Sequence, residues 1–164
     1  MMEQKRTSSL LNDLKSHPDK SLLDHLKNVG EKSKESLGSK KLNLDEFIDF
    51  ETLRDISYLI GVTHDFGKAT DFFQKYINEK DEKVRGKLKN KPETHHAFLS
   101  SIFAYYVIRE YLCKRTLINK NHYKYLPIIC FLIVKRHHGN LDDAYNETLC
   151  SDNDRILLED KLIK

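Results

Sequence analysis

The sequence predicts an all-α fold in a single domain. Apolar residues recur at intervals of three and four in several stretches, which is the spacing of a helix face. One continuous apolar run, residues 126–134, has the composition of a buried strand or helix, but no second strand-like run exists to pair with it. With 164 residues and 39% hydrophobic content the chain can bury one core, so we expect residues 1–164 to form one domain.

Composition excludes several classes of protein. The formal net charge of +3 is modest, and the charged residues are of both signs. Composition alone therefore does not indicate a nucleic-acid partner. The apolar runs are too short to cross a bilayer, and we expect no membrane partner. Cys113, Cys130 and Cys150 are far apart and form no C-x-x-C pair, which favours free thiols in a reducing compartment. The sequence therefore predicts a cytoplasmic protein.

The first predicted helix begins near residue 21. Residues 1–18 are polar and predict irregular chain or a short helix. Ser21 with Asp24 three residues later resembles a capping box, and apolar residues then follow at helical spacing. His25 lies on the apolar face of this helix, either as a metal ligand or as an ordinary core histidine. Residues 32–42 are charged and predict a connector.

Residues 44–65 predict a long helix whose apolar face ends at His64. Gly67 follows, where a left-handed glycine would end the helix. Asp65 then lies in the last turn, which the helix dipole makes unfavourable for a negative charge. A metal ion or Lys68 could compensate that charge, or Asp65 could simply lie on the surface.

Residues 70–91 divide into a short helix and a basic stretch. Thr70 is predicted to cap a helix carrying Phe73 and Tyr76. Beyond it, every second residue from 83 to 91 is basic: Lys83, Arg85, Lys87, Lys89 and Lys91. Such a loop could follow a phosphate backbone, or it could be a solvated connector.

Two later helices also carry histidines. Residues 94–113 predict a helix with His96 on its apolar stripe, whereas His95 points away as a surface or outer-shell group. Residues 126–134 predict a helix because Pro127 suits its first turn. It ends at His137 and His138. Consecutive helical residues point in different directions, so both histidines could reach one centre only where the helix ends, or they could bind different atoms or metals.

Six potential ligands therefore lie on apolar faces or at helix ends: His25, His64, Asp65, His96, His137 and His138. Buried imidazoles each need a hydrogen-bond partner, so packing alone explains this number poorly. The sequence thus predicts a metal centre. Imidazole and carboxylate without cysteine favour Mn, Fe, Co, Ni or Zn in a reactive site over a structural zinc site.

The order of these motifs resembles a known family. The matching pieces are Ser21-Leu22-Leu23-Asp24-His25-Leu26, His64-Asp65-Phe66-Gly67-Lys68, Phe73-Gln74-Lys75-Tyr76, His96-Ala97-Phe98-Leu99-Ser100 and His137-His138-Gly139. Together they resemble the HD-superfamily nuclease domain of the CRISPR-associated helicase-nuclease of type I interference systems. The His-Asp pair alone is shared by many phosphohydrolases, whereas the combined set is much more specific.

The resemblance implies an HD-superfamily helical bundle with one or two divalent transition metals at its centre, which cleaves single-stranded DNA, or RNA as well, in defence against invading DNA. It implies that His25, His64 and Asp65 hold one metal, and that Asp65 bridges to a second held by His96, His137 and His138. Lys68 would neutralise charge on the scissile phosphate, and the basic residues from Lys83 to Lys91 would belong to the strand path. The implied partners are a helicase domain or subunit and an RNA-guided CRISPR surveillance complex.

One departure from the family pattern affects the first metal position. The family has a further Asp in a later apolar helix, but the later acids all lie in polar settings: Asp142, Asp143, Asp152, Asp154 and Asp160. Residues 156–163 predict the start of a helix that reaches Lys164 without a cap. We expect a domain cut short at its C-terminal end, with no helicase part and a first metal position that is weakened or empty.

Two other functions fit the same residues. An HD phosphohydrolase acting on nucleotides or cyclic nucleotides would use the same ligands but would need a compact pocket for a base. A non-catalytic helical interaction domain would use the histidines only for packing.

Overall fold

The computed structural model describes residues 13–139, and this part of the chain is predominantly helical, which confirms the all-α prediction. Its α-helices are α1 (Leu22–Gly38), α2 (Phe50–Thr63), α3 (Asp71–Asn78), α4 (Glu82–Lys89), α5 (Ala97–Lys114) and α6 (Leu126–Lys135). The segments predicted at 141–150 and 156–163, and the five later aspartates, lie outside the described residues.

A small hairpin precedes the first helix, where irregular chain or a short helix was predicted. Strands β1 (Lys15–His17) and β2 (Lys20–Ser21) pair antiparallel. Ser16 is buried, and its hydroxyl donates to the carbonyl oxygen of Lys20 at 3.3 Å. The strands are too short to have given a periodic pattern, which is why the sequence did not predict them.

Helix α1 begins where the sequence predicted and ends later. The Ser21 hydroxyl accepts from the backbone N–H of Asp24 at 3.3 Å, as an N-cap does. The predicted connector at 32–42 is wrong, because α1 continues to Gly38. Helix α2 begins at Phe50 and not at residue 44, because Asp49 accepts from the backbone of Thr52 at 2.8 Å and caps it.

Asp49 also joins α2 to the C-terminal half of the fold. The Tyr123 hydroxyl donates to the Asp49 carboxylate at 2.8 Å and accepts from the Asp49 backbone N–H at 3.0 Å. Partial burial raises the pKa of the Asp49 carboxyl, but hydrogen bonds from Thr52 and Tyr123 outweigh burial and lower it. The cap is therefore ionised over the ordinary pH range.

Helices α1 and α2 cross at unusually short range. A Cβ added to Gly61 of α2 would lie 2.6 Å from the Cα of Gly30 in α1, which is closer than real Cβ atoms approach. Only glycine permits this approach at the crossing. The contact brings α1, which carries His25, against the helix that leads to His64.

Helices α5 and α6 pack together and complete the core. The core cluster joins residues of α2, α5 and α6 with the segments that precede α2 and α6, and comprises Ile48, Ile56, Ile108, Leu112, Tyr123 and Cys130. Helix α5 begins at Ala97, three residues later than predicted, and α6 matches the predicted run closely. Between residues 13 and 139, no helix combines the length and apolar character needed to cross a membrane.

Candidate metal centre

The His-Asp turn directly follows helix α2. The helix ends at Thr63, His64 caps it, and a 3-10 turn covers Phe66–Ala69. Asp65 is 2% exposed, so it is not the surface residue of the alternative interpretation. Gly67 has no left-handed backbone, which corrects that prediction. The α-helix ends at Thr63, and the chain changes direction in the 3-10 turn that follows.

One oxygen of Asp65 faces the ends of helices α5 and α6. Asp65 Oδ1 lies 2.8 Å from Nε2 of His96 and 3.2 Å from Nε2 of His137. Nε2 of His138 lies 3.0 Å from Nε2 of His96. These four side chains offer one ligand atom each within 4.8 Å of one another.

The other Asp65 oxygen faces helices α1 and α2. Asp65 Oδ2 lies 2.9 Å from Nε2 of His25 and 3.3 Å from Nε2 of His64. Lys68 Nζ lies 2.8 Å from the same oxygen. His25, His64 and Asp65 form a second group whose ligand atoms lie within 4.8 Å of one another. All six ligands predicted from the sequence therefore converge, with Asp65 common to both groups.

The hydrogen bonds behind His64 and His137 favour a cation beside Asp65. Nδ1 of His64 lies 2.7 Å from the carbonyl oxygen of Gly61, and Nδ1 of His137 lies 2.6 Å from that of Val134. A carbonyl only accepts, so each Nδ1 donates, and in the neutral form of the ring Nε2 then keeps its lone pair. Both lone pairs then face the Asp65 carboxylate. Two facing acceptors repel unless a cation lies with them, and this carbonyl-held arrangement is typical of metal-binding histidines.

The spacing of the ligand atoms also fits a metal ion. Nitrogen and oxygen ligands lie about 2.0–2.2 Å from a transition metal, so neighbouring ligands in its shell are about 3 Å apart. The observed separations between the histidine nitrogens and Asp65 oxygens run from 2.8 Å to 3.3 Å. The described residues therefore fit one or two divalent ions.

Lys68 already balances part of the Asp65 charge. It is 6% exposed, and its ammonium contacts Oδ2. Burial by itself raises the pKa of the Asp65 carboxyl, but close polar contacts with three histidines, His137 first, and with the Lys68 ammonium outweigh burial and hold that pKa well below its usual range. Asp65 is thus an ionised, buried acceptor.

Desolvation lowers the pKa of His96 and His138, which favours their neutral form. Burial lowers the pKa of His96 and outweighs the attraction of Asp65, which raises it. Burial, followed by repulsion from His137 and His96, lowers the pKa of His138 to about 4. Neutral imidazole is the form that binds metals. The pKa of His25 is also lowered, again mainly by burial.

Gly67, Ser100 and Gln74 make contacts beside the centre that the sequence analysis did not predict. The Gly67 backbone N–H donates to the Ser100 hydroxyl at 2.9 Å, and a Cβ on Gly67 would press on the backbone of His96. The Gln74 amide donates to the carbonyl oxygens of Lys68 and Lys15 at 2.8 Å and 2.9 Å. All three residues belong to the quoted motifs, so the signal was present, but spacing alone did not assign these contacts.

The predicted basic loop is mostly helical. Helix α4 contains four of the five cations, and alternate residues of a helix point to different sides. Lys83 and Lys87 therefore share one face, and Arg85 and Lys89 share another, so the basic residues form no single row. They lie outside the two ligand groups.

One of these cations lies beside the metal centre. A hollow of about 410 Å³ adjoins the ligand group of helices α5 and α6. We call it the side hollow; its lining includes Phe73, Tyr76, Lys89, Thr94, His96 and His138. His95 is exposed at this hollow, as expected of a surface group.

Comparison with known families decides the assignment of the fold. The family described as Cas3, HD domain matches residues 14–159, most of the chain. The chain belongs to the Cas3 HD-domain family. Membership confirms the resemblance seen in the motifs and makes the chain a metal-dependent HD-type nuclease domain of CRISPR defence. Comparison with curated proteins and with solved structures gives no match.

Proposed function

We propose that this Cas3 HD domain hydrolyses phosphodiester bonds of single-stranded DNA in type I CRISPR interference. The observation that carries the proposal is Asp65, whose two oxygens face two separate groups of histidine nitrogens. A shared carboxylate of this kind is suited to two neighbouring divalent ions. Partners that fit the proposal are a helicase domain or subunit and an RNA-guided surveillance complex.

The proposed roles follow the two ligand groups. His25, His64 and Asp65 would hold one ion, and Asp65, His96, His137 and His138 would hold a second. Mn, Fe, Co, Ni and Zn all suit imidazole with carboxylate. Such ions lower the pKa of a bound water and stabilise the oxygens of an in-line displacement at phosphorus. The backbone carbonyls behind His64 and His137 fix the two rings so that Nε2 points inward.

Lys68 contributes through Asp65 in this proposal. Its ammonium is buried against Oδ2, so it orients the carboxylate and keeps it ionised. Neutralisation of the scissile phosphate by Lys68, as the resemblance implies, stays a prediction. The ammonium carries three N–H donors, so direct contact with substrate would use a donor other than the one that faces Asp65 at 2.8 Å.

The proposal is tested with a labelled single-stranded DNA and added Mn, Co or Ni. We expect cleavage by the wild-type chain and none by Asp65→Ala, with Asp45→Ala as an exposed carboxylate control. Metal content measured by equilibrium dialysis should fall in Asp65→Ala alone. The proposal is wrong if neither the 164-residue chain nor a version extended beyond Lys164 cuts, or if Asp65→Ala cuts as well as wild type.

A second candidate is hydrolysis of free nucleotides by the same centre. The side hollow favours it, because this activity needs a compact pocket for a base. Turnover of nucleotides without cleavage of DNA would support it. A purely structural role for the histidines, the third candidate, would be supported if Asp65→Ala kept the metal content and stability of wild type.

A further inference from the structure

The side hollow joins aromatic rings to the metal centre. The Phe73 and Tyr76 rings meet edge to face with centroids 5.5 Å apart, and the Phe73 ring also lies 5.5 Å from that of His96. Phe73 is 6% exposed and forms the floor of the hollow, whereas Tyr76 is half-buried and can offer part of its ring to a ligand. His96 and His138 belong to both the hollow and the ligand group at Asp65 Oδ1.

A cation completes the rim of the hollow. Lys89 is exposed at the C-terminal end of helix α4. The Thr94 hydroxyl is within hydrogen-bond range of the carbonyl oxygens of Lys89 and Lys91, at 3.1 Å and 2.7 Å. This contact fastens the end of α4 beside the hollow. Of the five cations in the basic stretch, Lys89 lines the side hollow and the other four do not. A flat aromatic ligand attached to an anion fits these neighbours.

We propose that the side hollow binds the nucleoside of single-stranded DNA next to the scissile phosphate, with Tyr76 contacting the base and Lys89 the flanking phosphate. This rests on the proposed nuclease function, because a nucleoside is covalently joined to the phosphate held at the centre. Aromatic surfaces with adjacent cations are the usual means of binding a single strand without reading its sequence. The hollow therefore sets the register of the strand over the metal centre.

Equilibrium binding tests the proposal separately from catalysis. The full chain is titrated in EDTA against two fluorescent probes, a thymidine oligonucleotide of about 12 residues and a deoxyribose-phosphate oligomer of the same length without bases. Tyr76→Ala should weaken binding of the thymidine probe about fivefold or more and leave the base-free probe unchanged. Tyr76→Phe, which keeps the ring, should bind both probes as wild type does.

Lys89→Ala tests the proposed phosphate contact. Lys89 is exposed, so its side chain is not part of the core. The substitution should weaken both probes alike and reduce the slope of log affinity against log salt by about 1. Lys41→Ala is the matched control, since Lys41 is exposed beyond the far end of α1, about 20 Å along the helix from His25. It should change neither affinity nor slope.

The outcomes separate this proposal from the nuclease function. Equal loss on both probes for Tyr76→Ala, or no loss on either, overturns the side hollow as a base site even if the wild type cuts DNA. Displacement of the thymidine probe by free thymidine monophosphate at comparable concentration also overturns it, since the site would then select mononucleotides. A base-dependent loss in a protein that never cuts DNA supports the hollow while the nuclease function fails.

Discussion

Replacing Gly61 with alanine should destabilise the fold by about 2 kcal/mol. The added Cβ would lie 2.6 Å from the Cα of Gly30 and 2.9 Å from the carbonyl oxygen of Val29. These atoms are backbone, and ordinary contact begins near 3.4 Å, so helices α1 and α2 must separate by most of an ångström. Overpacking costs about 1–3 kcal/mol, and alanine returns about 1 kcal/mol of helix propensity. A backbone clash corresponds to the upper end of that cost.

Gly86→Ala is the matched control for this substitution. Gly86 also lies inside a helix, but nothing lies within 4 Å of an added Cβ. It should therefore stabilise the protein by about 0.5–1 kcal/mol. Urea unfolding followed by circular dichroism measures both variants. The reasoning about the crossing is refuted if Gly61→Ala unfolds at the wild-type urea concentration, or if both variants shift in the same direction.

The same substitution should also reach the metal centre. Helix α1 carries His25 and α2 leads to His64, and their ring centroids are 5.2 Å apart. Separation of the helices moves His25 away from Asp65 Oδ2, which lies 2.9 Å away. We expect Gly61→Ala to weaken Mn binding about tenfold or more, and Gly86→Ala to leave it unchanged. Wild-type affinity in a destabilised Gly61→Ala would show that the crossing does not position His25.

Other parts of the structure carry predictions of their own. Gly67→Ala should cost about 1–3 kcal/mol and weaken metal binding, because the new Cβ presses on the backbone of His96. Asp49→Ala should cost about 1–2 kcal/mol through the lost helix cap. Since the pKa of Asp49 is lowered, its contribution is present above about pH 4 and lost as pH falls through that lowered pKa. Burial raises the pKa of the Cys130 thiol to about 12, so iodoacetamide should modify Cys113 and spare Cys130 in native protein.

Each of these predictions has a measurement that contradicts it. Wild-type melting and metal affinity for Gly67→Ala would mean that the turn and helix α5 can move apart freely. The stability difference between wild type and Asp49→Ala should shrink as pH falls. A difference that grows between pH 5 and pH 3 would contradict this prediction. Mass spectrometry measures the labelling. Equal labelling of the Cys113 and Cys130 peptides in native protein would show that the core around α6 opens readily.

The convergence of these six side chains was predictable because helix periodicity reports which residues share a face. His25, His64 and His96 stood in apolar stripes, and His137 with His138 stood at a helix end, so their faces could be inferred. The family resemblance then supplied the division into two groups. The geometry agrees with that division, although ligand roles stay predictions until metal binding is measured.

Other features depended on contacts that periodicity does not report. The connector at 32–42 was predicted from charge, yet charged residues are good helix formers and α1 simply continues. The glycine at 67 was explained by a left-handed backbone, but the structure needs it for contact with His96, distant in sequence. The basic stretch has a helix-compatible composition, and its alternation suggested an extended row that helix geometry divides between faces.

Because Asp65 belongs to both ligand groups, the two halves of the centre would not bind metal independently under the proposed function. A positive charge held at Oδ1 would draw electron density from Oδ2 and restrict rotation of the Asp65 side chain. The affinity of each position would then depend on whether the other is filled, and by thermodynamic linkage the influence would be mutual. Metal uptake at the two positions would therefore be coupled through one side chain.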